Sequence, residues 1–266
     1  MIPAKFDYVK VSSVSEAVDL LDKHGFDAKI LAGGHSLIPA MKLRLNRPEI
    51  LIDISGIEGM NSITEDGDEI VVGANCTHNQ IMTSRVVMKK VNILAATAKT
   101  IGDIQVRNRG TLGGSLAHSD PAADYPATIL ACDAKIEVMG KGGSRTIAAT
   151  DFFEGIFTTA LADDEIITAV RFPKTQYGTY HKFYQSASRF AVVGVAVVKD
   201  GDNVKVGVTG VADTPYRATA VEAAYSGNSD AAAHAVDGIE VMSDHFADAE
   251  YRSHLAKVFV KRGLEA

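Results

Sequence analysis

The first fifty residues alternate between a helical and an extended pattern of apolar positions. Ser13 and Glu16 have capping-box spacing, and Val14, Ala17, Val18 and Leu21 follow at helical intervals. This pattern predicts an amphipathic helix that ends at Gly25. The runs "AKILAG" and "EILIDIS" predict two strands, the second of them buried. The intervening "LIPAMKLRLN" is apolar with basic interruptions.

Two hairpins punctuate the middle of the chain. "NSITEDGDEIVVGA" places Asp66-Gly67 between two strand-like runs, and "KIEVMGKGGSRTI" turns at residues 141–143. A second capping box, from Thr77 to Gln80, predicts a helical region up to about Ala98. Another helix is predicted from about 123 to 131, after a glycine-containing segment.

The pattern changes near Pro173–Tyr177. Before it, helices and hairpins are mixed; after it come three consecutive β runs, "TYHKFYQ", "FAVVGVAVVKD" and "NVKVGVTGVA", and then a helical region from about Tyr216. The chain is therefore predicted to be α+β, with one domain over 1–175 and a three-stranded sheet plus helices over 176–266.

Composition excludes several classes of protein. The 266 residues are 46% hydrophobic and carry a net charge of −6 without a basic cluster, which argues against nucleic-acid binding. The two cysteines, Cys76 and Cys132, are far apart and cannot ligate an iron–sulfur cluster. The N-terminus has no signal-peptide pattern, and no apolar run approaches the length of a membrane helix. A cytoplasmic protein is expected, with association at the inner face of the membrane left open.

Two glycine pairs are the candidate binding elements. "LAGGHSL" and "GTLGGSLAHSD" each follow a predicted ordered segment and carry a nearby hydroxyl, Ser36 in the first and Thr111 and Ser115 in the second. Consecutive backbone N–H groups at such a turn form a concave anion site, so two facing loops could hold a diphosphate without lysine. The alternative is that both pairs are plain turns, as Gly142-Gly143 is predicted to be.

Other nucleotide and hydrolase motifs are excluded. Gly140-Lys141-Gly142 lacks the third glycine of a dinucleotide fingerprint, because Arg145 stands there. The same Gly-Lys pair lacks the first glycine of a phosphate-binding P-loop. Gly34-His35-Ser36 fails the last position of a nucleophile elbow, which disfavours a serine hydrolase.

The polar residues His118, Asp120 and Asp124 have two interpretations. They could ligate a metal, but caps and turns account for such a loop more often. Asp124 at a helix start could alternatively accept hydrogen bonds from a ribose.

Two segments together resemble a known family. "AGGHSLIPAMKLRL" followed by "IGDIQVRNRGTLGGSLAHSDPAADYPA" is similar to the FAD-binding medium subunit of the molybdenum hydroxylases, which includes the flavoproteins of carbon monoxide dehydrogenase and the FAD domain of xanthine dehydrogenase. The resemblance covers at least 200 residues, from "FDYVKVSSVSEAVDLL" to "FAVVGVAVV". It implies a vanillyl-alcohol-oxidase-type (PCMH-type) FAD fold, with subdomains at about 1–55 and 56–175 and a C-terminal flavoprotein domain.

The resemblance also implies a set of FAD contacts. Asp124 would bind the adenosine ribose, Ile167 would lie near the flavin ring, and Lys182, or equally Tyr184, would lie near the flavin edge. Ser115 departs from the asparagine of many relatives, which alters one contact. The residues implied to surround the diphosphate are Ala32, Gly33, Gly34, His35 and Ser36 from the first loop and Thr111, Gly113, Gly114 and Ser115 from the second, with Leu37 and Leu112 as further implied cofactor contacts.

The implied role is electron transfer within a complex. A large subunit with a molybdopterin would oxidise the substrate, two [2Fe–2S] clusters in a small subunit would pass electrons on, and FAD here would deliver them to a quinone, NAD or oxygen. An (αβγ)2 assembly is expected by analogy, and no catalytic residue or metal site is assigned to this chain. Two alternatives remain: a self-contained flavin oxidase and a non-enzymatic nucleotide-binding module.

Overall fold

A small parallel sheet forms the N-terminal part of the computed structural model, which describes residues 1–175 and 177–266. Its strand order is β1-β3-β2, and both neighbouring pairs are parallel. The elements, in chain order, are β1 (Asp7–Lys10), α1 (Val14–His24), β2 (Ala28–Leu31), α2 (Leu37–Lys42) and β3 (Ile50–Asp53). All four residues of β3 are buried, as its continuous apolar run predicts.

The predicted first helix is confirmed with one difference at its cap. The Ser13 hydroxyl accepts the N–H of Glu16, and Gly25 ends the helix with a φ of 53°. The Glu16 carboxylate, however, accepts the N–H of Ser12 at 2.9 Å, one residue earlier than a strict capping box requires. The unassigned "LIPAMKLRLN" contains α2, a helix of only six residues, which is too short to show a clear apolar period.

The middle of the chain builds a five-stranded antiparallel sheet with helices on it. Its strand order is β4-β5-β10-β6-β7, and it contains both predicted hairpins. The strands are β4 (Ile63–Asp66), β5 (Glu69–Gly73), β6 (Lys135–Gly140), β7 (Gly143–Ala148) and β10 (Ile166–Pro173), with a separate small pair, β8 (Phe153–Gly155) and β9 (Thr158–Thr159). The helices are α3 (His78–Thr83), α4 (Arg85–Lys90), α5 (Asn92–Thr100), α6 (Ile104–Arg107), α7 (Leu112–His118) and α8 (Tyr125–Ala131).

The helical region predicted up to Ala98 is three helices rather than one. Ser84 is extended at the end of α3, and its hydroxyl accepts the N–H of Val87 to start α4. Val91 then leaves the helical conformation before α5. A serine that caps a new helix competes with continuation of the old one, so the region breaks at short intervals.

The C-terminal sheet has four strands where three were predicted. Its order is β11-β12-β13-β14, all antiparallel, in the elements β11 (Tyr177–Tyr184), β12 (Ala191–Asp200), β13 (Asn203–Thr209) and β14 (Tyr216–Arg217). The two-residue β14 was predicted to be helical, but it pairs with Gly207 and Val208 and so satisfies backbone groups on an otherwise open strand edge.

The predicted final helical region is therefore interrupted. It contains α9 (Thr219–Ala224), a short 3₁₀ turn (Ser229–His234) and α10 (Ala249–Glu265). Gly227 and Gly238 both have positive φ, which breaks helical geometry between these elements.

Close packing joins the middle sheet to the C-terminal sheet. β12 is buried along Ala191–Val198, which is typical of a strand covered on both faces. A Cβ on Gly207 would lie 2.0 Å from the Ala127 carbonyl oxygen, so α8 lies directly against β13. This contact fixes the start of α8, where the second glycine segment ends.

No helix in the described residues is both long enough and apolar enough to span a bilayer.

Candidate cofactor-binding site

The two glycine loops are in direct backbone contact. A Cβ on Gly33 would lie 2.2 Å from the carbonyl oxygen of Arg109 and 2.8 Å from the Cα of Gly110, so only glycine permits this approach. Gly34 has a φ of 76°, which favours glycine for a second reason. The sequence alone left open whether both pairs are plain turns; the fold brings the loops together.

The first loop presents a run of backbone donors without protein partners. Among the described residues, the N–H groups from Gly33 to Leu37 donate no hydrogen bond, while the next one, Ile38, bonds the carbonyl of Gly34 at 3.0 Å. Ser36 caps α2 without a side-chain hydrogen bond. Five consecutive donors at a glycine turn fit an anion such as a diphosphate.

The second loop, unlike the first, does not present the free backbone donors that the anion-site interpretation requires. The N–H groups of Leu112 and Gly113 bond the carbonyls of Cys76 (3.0 Å) and Ala74 (2.8 Å). The N–H of Gly114 bonds the hydroxyl of its N-cap, Thr111, at 3.1 Å. Two of these donors hold the start of α7 against the 74–76 segment and the third bonds the N-cap, so the second loop contributes its glycine surface and Ser115 to the cleft instead.

A cleft of about 530 Å³ runs past both loops. One wall comes from α1 and β2 with the first loop, and the other from α7 and the 157–167 segment. Phe190, the residue before β12, also lines it. A cleft of this size, lined by several separate segments of the chain, is a usual setting for a cofactor.

The charges in the cleft cannot neutralise a diphosphate. Lys29 is the one lysine among the described lining residues, which also include Asp120, Asp163 and Glu165. Glu165 is paired with Arg145, whose guanidinium donates at 2.6 and 2.7 Å. Because Lys29 is the one lysine or arginine among the described residues that line the cleft, the free backbone N–H groups must supply most of the attraction for an anion.

The structure brings most of the predicted contact residues to the cleft. Those that line it are Ala32, Gly33, Gly34, His35, Ser36, Leu37, Thr111, Gly113, Gly114, Ser115 and Ile167. Leu112, Asp124 and Lys182 do not line it, and their contact with a cofactor stays a prediction. Leu112 is fully buried because it lies on the inward face of α7.

Asp124 and Lys182 form a buried ion pair. The Lys182 Nζ lies 2.8 Å from one carboxylate oxygen of Asp124, and the Tyr180 hydroxyl donates to the other at 2.5 Å. Burial raises the pKa of Asp124, while Lys182 and the hydrogen bond from Tyr180 act in the opposite direction. Both carboxylate oxygens have protein donors, so the pair joins α8 to β11 rather than opening toward the cleft.

Tyr184 was the alternative to Lys182 beside the flavin edge. Its side chain is exposed at the end of β11, and the Arg189 guanidinium lies 5.9 Å from its ring centroid. Of this segment, Phe190 rather than Tyr184 lines the cleft. The choice between Lys182 and Tyr184 stays open.

Sequence reasoning missed several lining residues. Asn75 and Phe157 line the cleft, as does Phe190, and none of them belongs to a recognised motif. His118 and Asp120, which were weighed as metal ligands, line it too. Within the described residues, no group of three or more His, Cys, Asp and Glu side chains is arranged to hold a metal ion. The strand-to-helix junction "VGANCTH" was the one available signal for Asn75.

His78 supports the second loop from behind. The backbone N–H of His78 donates to the carbonyl of Gly110 at 3.0 Å, and the ring Nδ1 lies 3.1 Å from the Tyr125 hydroxyl oxygen. Burial, with smaller contributions from His35 and Arg107, lowers the pKa of His78 to about 3. The imidazole is therefore neutral at physiological pH and acts as a packing and hydrogen-bonding group.

Two family profiles match the chain. "FAD binding domain in molybdopterin dehydrogenase" matches residues 4–175, and "CO dehydrogenase flavoprotein C-terminal domain" matches residues 178–266.

Similar proteins agree with these matches. The carbon monoxide dehydrogenase medium chain of Hydrogenophaga pseudoflava is 41% identical over 100% of this chain and 98% of its own length. The nicotine 6-hydroxylase medium subunit of Paenarthrobacter nicotinovorans is 36% identical over 97% of this chain and 95% of its own length. A solved structure also matches, that of the Hydrogenophaga pseudoflava carbon monoxide dehydrogenase that lacks the Mo-pyranopterin moiety. Its TM-score is 0.95 at 41% identity, and the match covers 100% of this chain and 98% of that one. The chain belongs to the family of FAD-binding medium subunits of molybdenum hydroxylases, and it is a flavoprotein subunit of an oxidoreductase.

Proposed function

We propose that this chain is the electron-transfer flavoprotein of a three-subunit molybdenum hydroxylase. Electrons from [2Fe–2S] clusters in a small partner subunit would reach the FAD site and leave to an external acceptor. The observation that carries the proposal is full-length similarity to medium subunits, together with the row of free N–H groups in the cleft. FAD, when bound, supplies the exchange of electrons in single or paired steps.

The residues of this chain hold and shield that cofactor. The first loop binds the diphosphate through the N–H groups from Gly33 to Leu37. The second loop approaches through Gly114, where a Cβ would lie 2.8 Å from the Thr111 hydroxyl oxygen, and contributes the Ser115 hydroxyl. Ile167 and Phe190 supply apolar surface. Asp124 and Lys182 are proposed as residues near the ribose and the flavin edge.

The substrate is selected outside this chain. Two relatives of similar identity, 41% and 36%, carry names that refer to carbon monoxide and to nicotine. The described residues supply no metal site, and substrate oxidation is assigned to a molybdopterin in a large partner subunit. The free N–H groups alone would also suit a nucleotide-binding module, and no described feature of the cleft is specific to a self-contained oxidase. Full-length similarity to medium subunits favours the electron-transfer role over both. A quinone, NAD or oxygen as acceptor, and an (αβγ)2 assembly, are part of the proposal.

We further propose a division of the chain at about 55 and 175. The four sheets support it, since each lies within one proposed unit: the parallel sheet of β1–β3 in the first, the five-stranded sheet and the β8-β9 pair in the second, and the sheet of β11–β14 in the last. The predicted start of the last domain, residue 176, lies outside the described residues. A cytoplasmic location is likewise proposed, and cell fractionation would test it.

The test is purification of the tagged chain from its own host under mild conditions. We expect two further subunits, FAD from the tagged chain, and iron and molybdenum in the others. Reduction of the complex through its large subunit should bleach the flavin absorbance at about the rate of turnover.

A matched preparation without the small subunit controls the route of the electrons. In that preparation the flavin should bind but stay oxidised when substrate is added. A chain that carries no FAD, alone or in the complex, would contradict the proposal. A chain that oxidises a small substrate by itself would favour the oxidase instead.

A further inference from the structure

One buried acceptor beside the cleft has no partner. Asn75 is 8% exposed, and its buried Oδ1 makes no hydrogen bond within the described residues. A buried polar atom without a partner costs on the order of 1–3 kcal/mol, so it usually indicates a missing ligand or water.

The side chain is fixed rather than free to turn away. Its Nδ2 donates to the carbonyl of Ile54 at 2.8 Å, and the backbone N–H of Asn75 donates to the carbonyl of Met60 at 2.7 Å. Ile54 offers only an acceptor, so exchanging the amide's nitrogen and oxygen would place two acceptors face to face. The Oδ1 must therefore find its donor elsewhere.

Asn75 lies where the two glycine loops meet. It lines the main cleft, and together with Ala32 and Thr111 it also lines a smaller cavity of about 170 Å³. Ala32 precedes the first glycine pair and Thr111 precedes the second. The group expected between those loops is the FAD diphosphate, which carries no donor at neutral pH and cannot satisfy Asn75.

The chemistry of FAD limits the remaining choices. The diphosphate is flanked by the ribityl chain on one side and the ribose on the other, and both carry hydroxyl donors. We propose, resting on the proposed function above, that Asn75 Oδ1 accepts a hydrogen bond from a sugar hydroxyl of FAD next to the diphosphate. Asn75 is then a positioning residue for the cofactor that neither glycine motif contains.

The test is a thermodynamic cycle that removes the Asn75 carboxamide and one FAD hydroxyl, first separately and then together. The full chain, freed of FAD, is titrated with FAD and with analogues that each lack one ribityl or ribose hydroxyl. Asn75→Ala should weaken FAD binding about three- to tenfold, the size expected for one hydrogen bond. One analogue should bind the unsubstituted chain more weakly than FAD does by a similar factor. The same analogue and FAD should bind Asn75→Ala with equal affinity.

Asn61→Ala is the matched control, because Asn61 lines only the smaller cavity. Its affinity for FAD should stay unchanged. If Asn75→Ala does not fold, the analogues on the unsubstituted chain still decide: no loss with any of them overturns the inference. The inference is also overturned if the affinity lost through Asn75→Ala adds to the affinity lost with every analogue. In that case the Oδ1 accepts its hydrogen bond from a water. Failure of the unsubstituted chain to bind FAD at all would instead contradict the proposed function.

Discussion

The Nζ of Lys182 lies 2.8 Å from a carboxylate oxygen of Asp124, and the two side chains are 4% and 5% exposed. The Lys182 Nζ also lies 3.3 Å from the carbonyl oxygen of Thr100. One partner is on β11 of the C-terminal sheet and the other begins α8 beneath the second loop. This buried contact therefore adds to the packing of α8 on β13 in holding β11 against the segment that follows the second loop.

Loss of one partner should cost more than loss of both. Lys182→Met leaves the Asp124 carboxylate buried without its cation, which should lower the free energy of unfolding by about 3–5 kcal/mol. The double variant Lys182→Met/Asp124→Asn should recover a large part of that loss. Urea denaturation of the single and double variants measures both values.

Lys205→Met is the control for loss of a lysine. Lys205 and its partner Asp133 have side chains that are 35% and 44% exposed, so losing this ion pair should lower the free energy of unfolding by less than about 1 kcal/mol. Equal costs for the Lys182 and Lys205 variants would mean that burial does not strengthen the first pair.

The contact between the glycine loops should tolerate no side chain at Gly33. A Cβ there would lie 2.2 Å from a backbone oxygen, which cannot move as a flexible side chain can. Gly33→Ala should therefore destabilise the fold by about 1–3 kcal/mol and, by separating the loops, weaken FAD binding by more than about tenfold. Isothermal titration with FAD and thermal unfolding check the two effects.

Gly142→Ala is the matched substitution in a glycine turn outside the cleft. No atom lies within 4 Å of its added Cβ, so neither FAD affinity nor stability should fall appreciably. If Gly33→Ala bound FAD as well as Gly142→Ala does, the first loop would not be the diphosphate site.

Local patterns predicted the elements whose determinants are local. The cap at Ser13 and the turns at Asp66-Gly67 and 141–143 depend on residues within a few positions of each other, and the structure confirms them. Glycine spacing also indicated which loops line the cleft. It could not show that the amides of Leu112 and Gly113 are used inside the fold, because their partners come from a distant segment, Ala74 and Cys76.

Contacts between distant segments account for the other differences. Lys182 and Asp124 are 58 positions apart, and nothing in either segment signals a pair. The two-residue β14 has no strand pattern of its own and is defined by its pairing with β13. Asn75 follows a strand in a segment without glycine-loop character, so its position beside the cleft depends on how β5 is placed.

A buried threonine should hold the second loop's C-terminal end in place. The Thr209 hydroxyl oxygen lies 2.8 Å from the carbonyl oxygens of both Pro121 and Ala123, next to the cleft residue Asp120. Thr209→Val keeps the shape but leaves these carbonyls with one donor fewer. We expect a loss of about 1–2 kcal/mol in unfolding free energy and a weaker FAD affinity.

Thr146→Val on the exposed face of β7 controls for the exchange itself and should change stability by less than about 0.5 kcal/mol. Chemical denaturation with and without saturating FAD separates the two effects of the Thr209 substitution. An FAD affinity equal to that of the unsubstituted chain would mean that the 121–124 segment does not influence the cofactor.

The buried imidazole of His78 should make stability depend on pH in the mildly acidic range. Its pKa is about 3 in the fold, against about 6.5 in an unfolded chain, so between these values only the unfolded state binds the proton. Stability from this group is complete above about pH 6.5 and is lost as the pH falls toward 3. Between pH 7 and 5 the loss should be about 2 kcal/mol, and His78→Gln should remove that part of the slope.

Tyr125→Phe keeps the imidazole and removes only its hydroxyl partner, so it should lower stability at both pH values and keep the slope. Urea unfolding of the three proteins at pH 7 and 5 gives the comparison, and an unchanged slope in His78→Gln would assign the pH dependence to other groups.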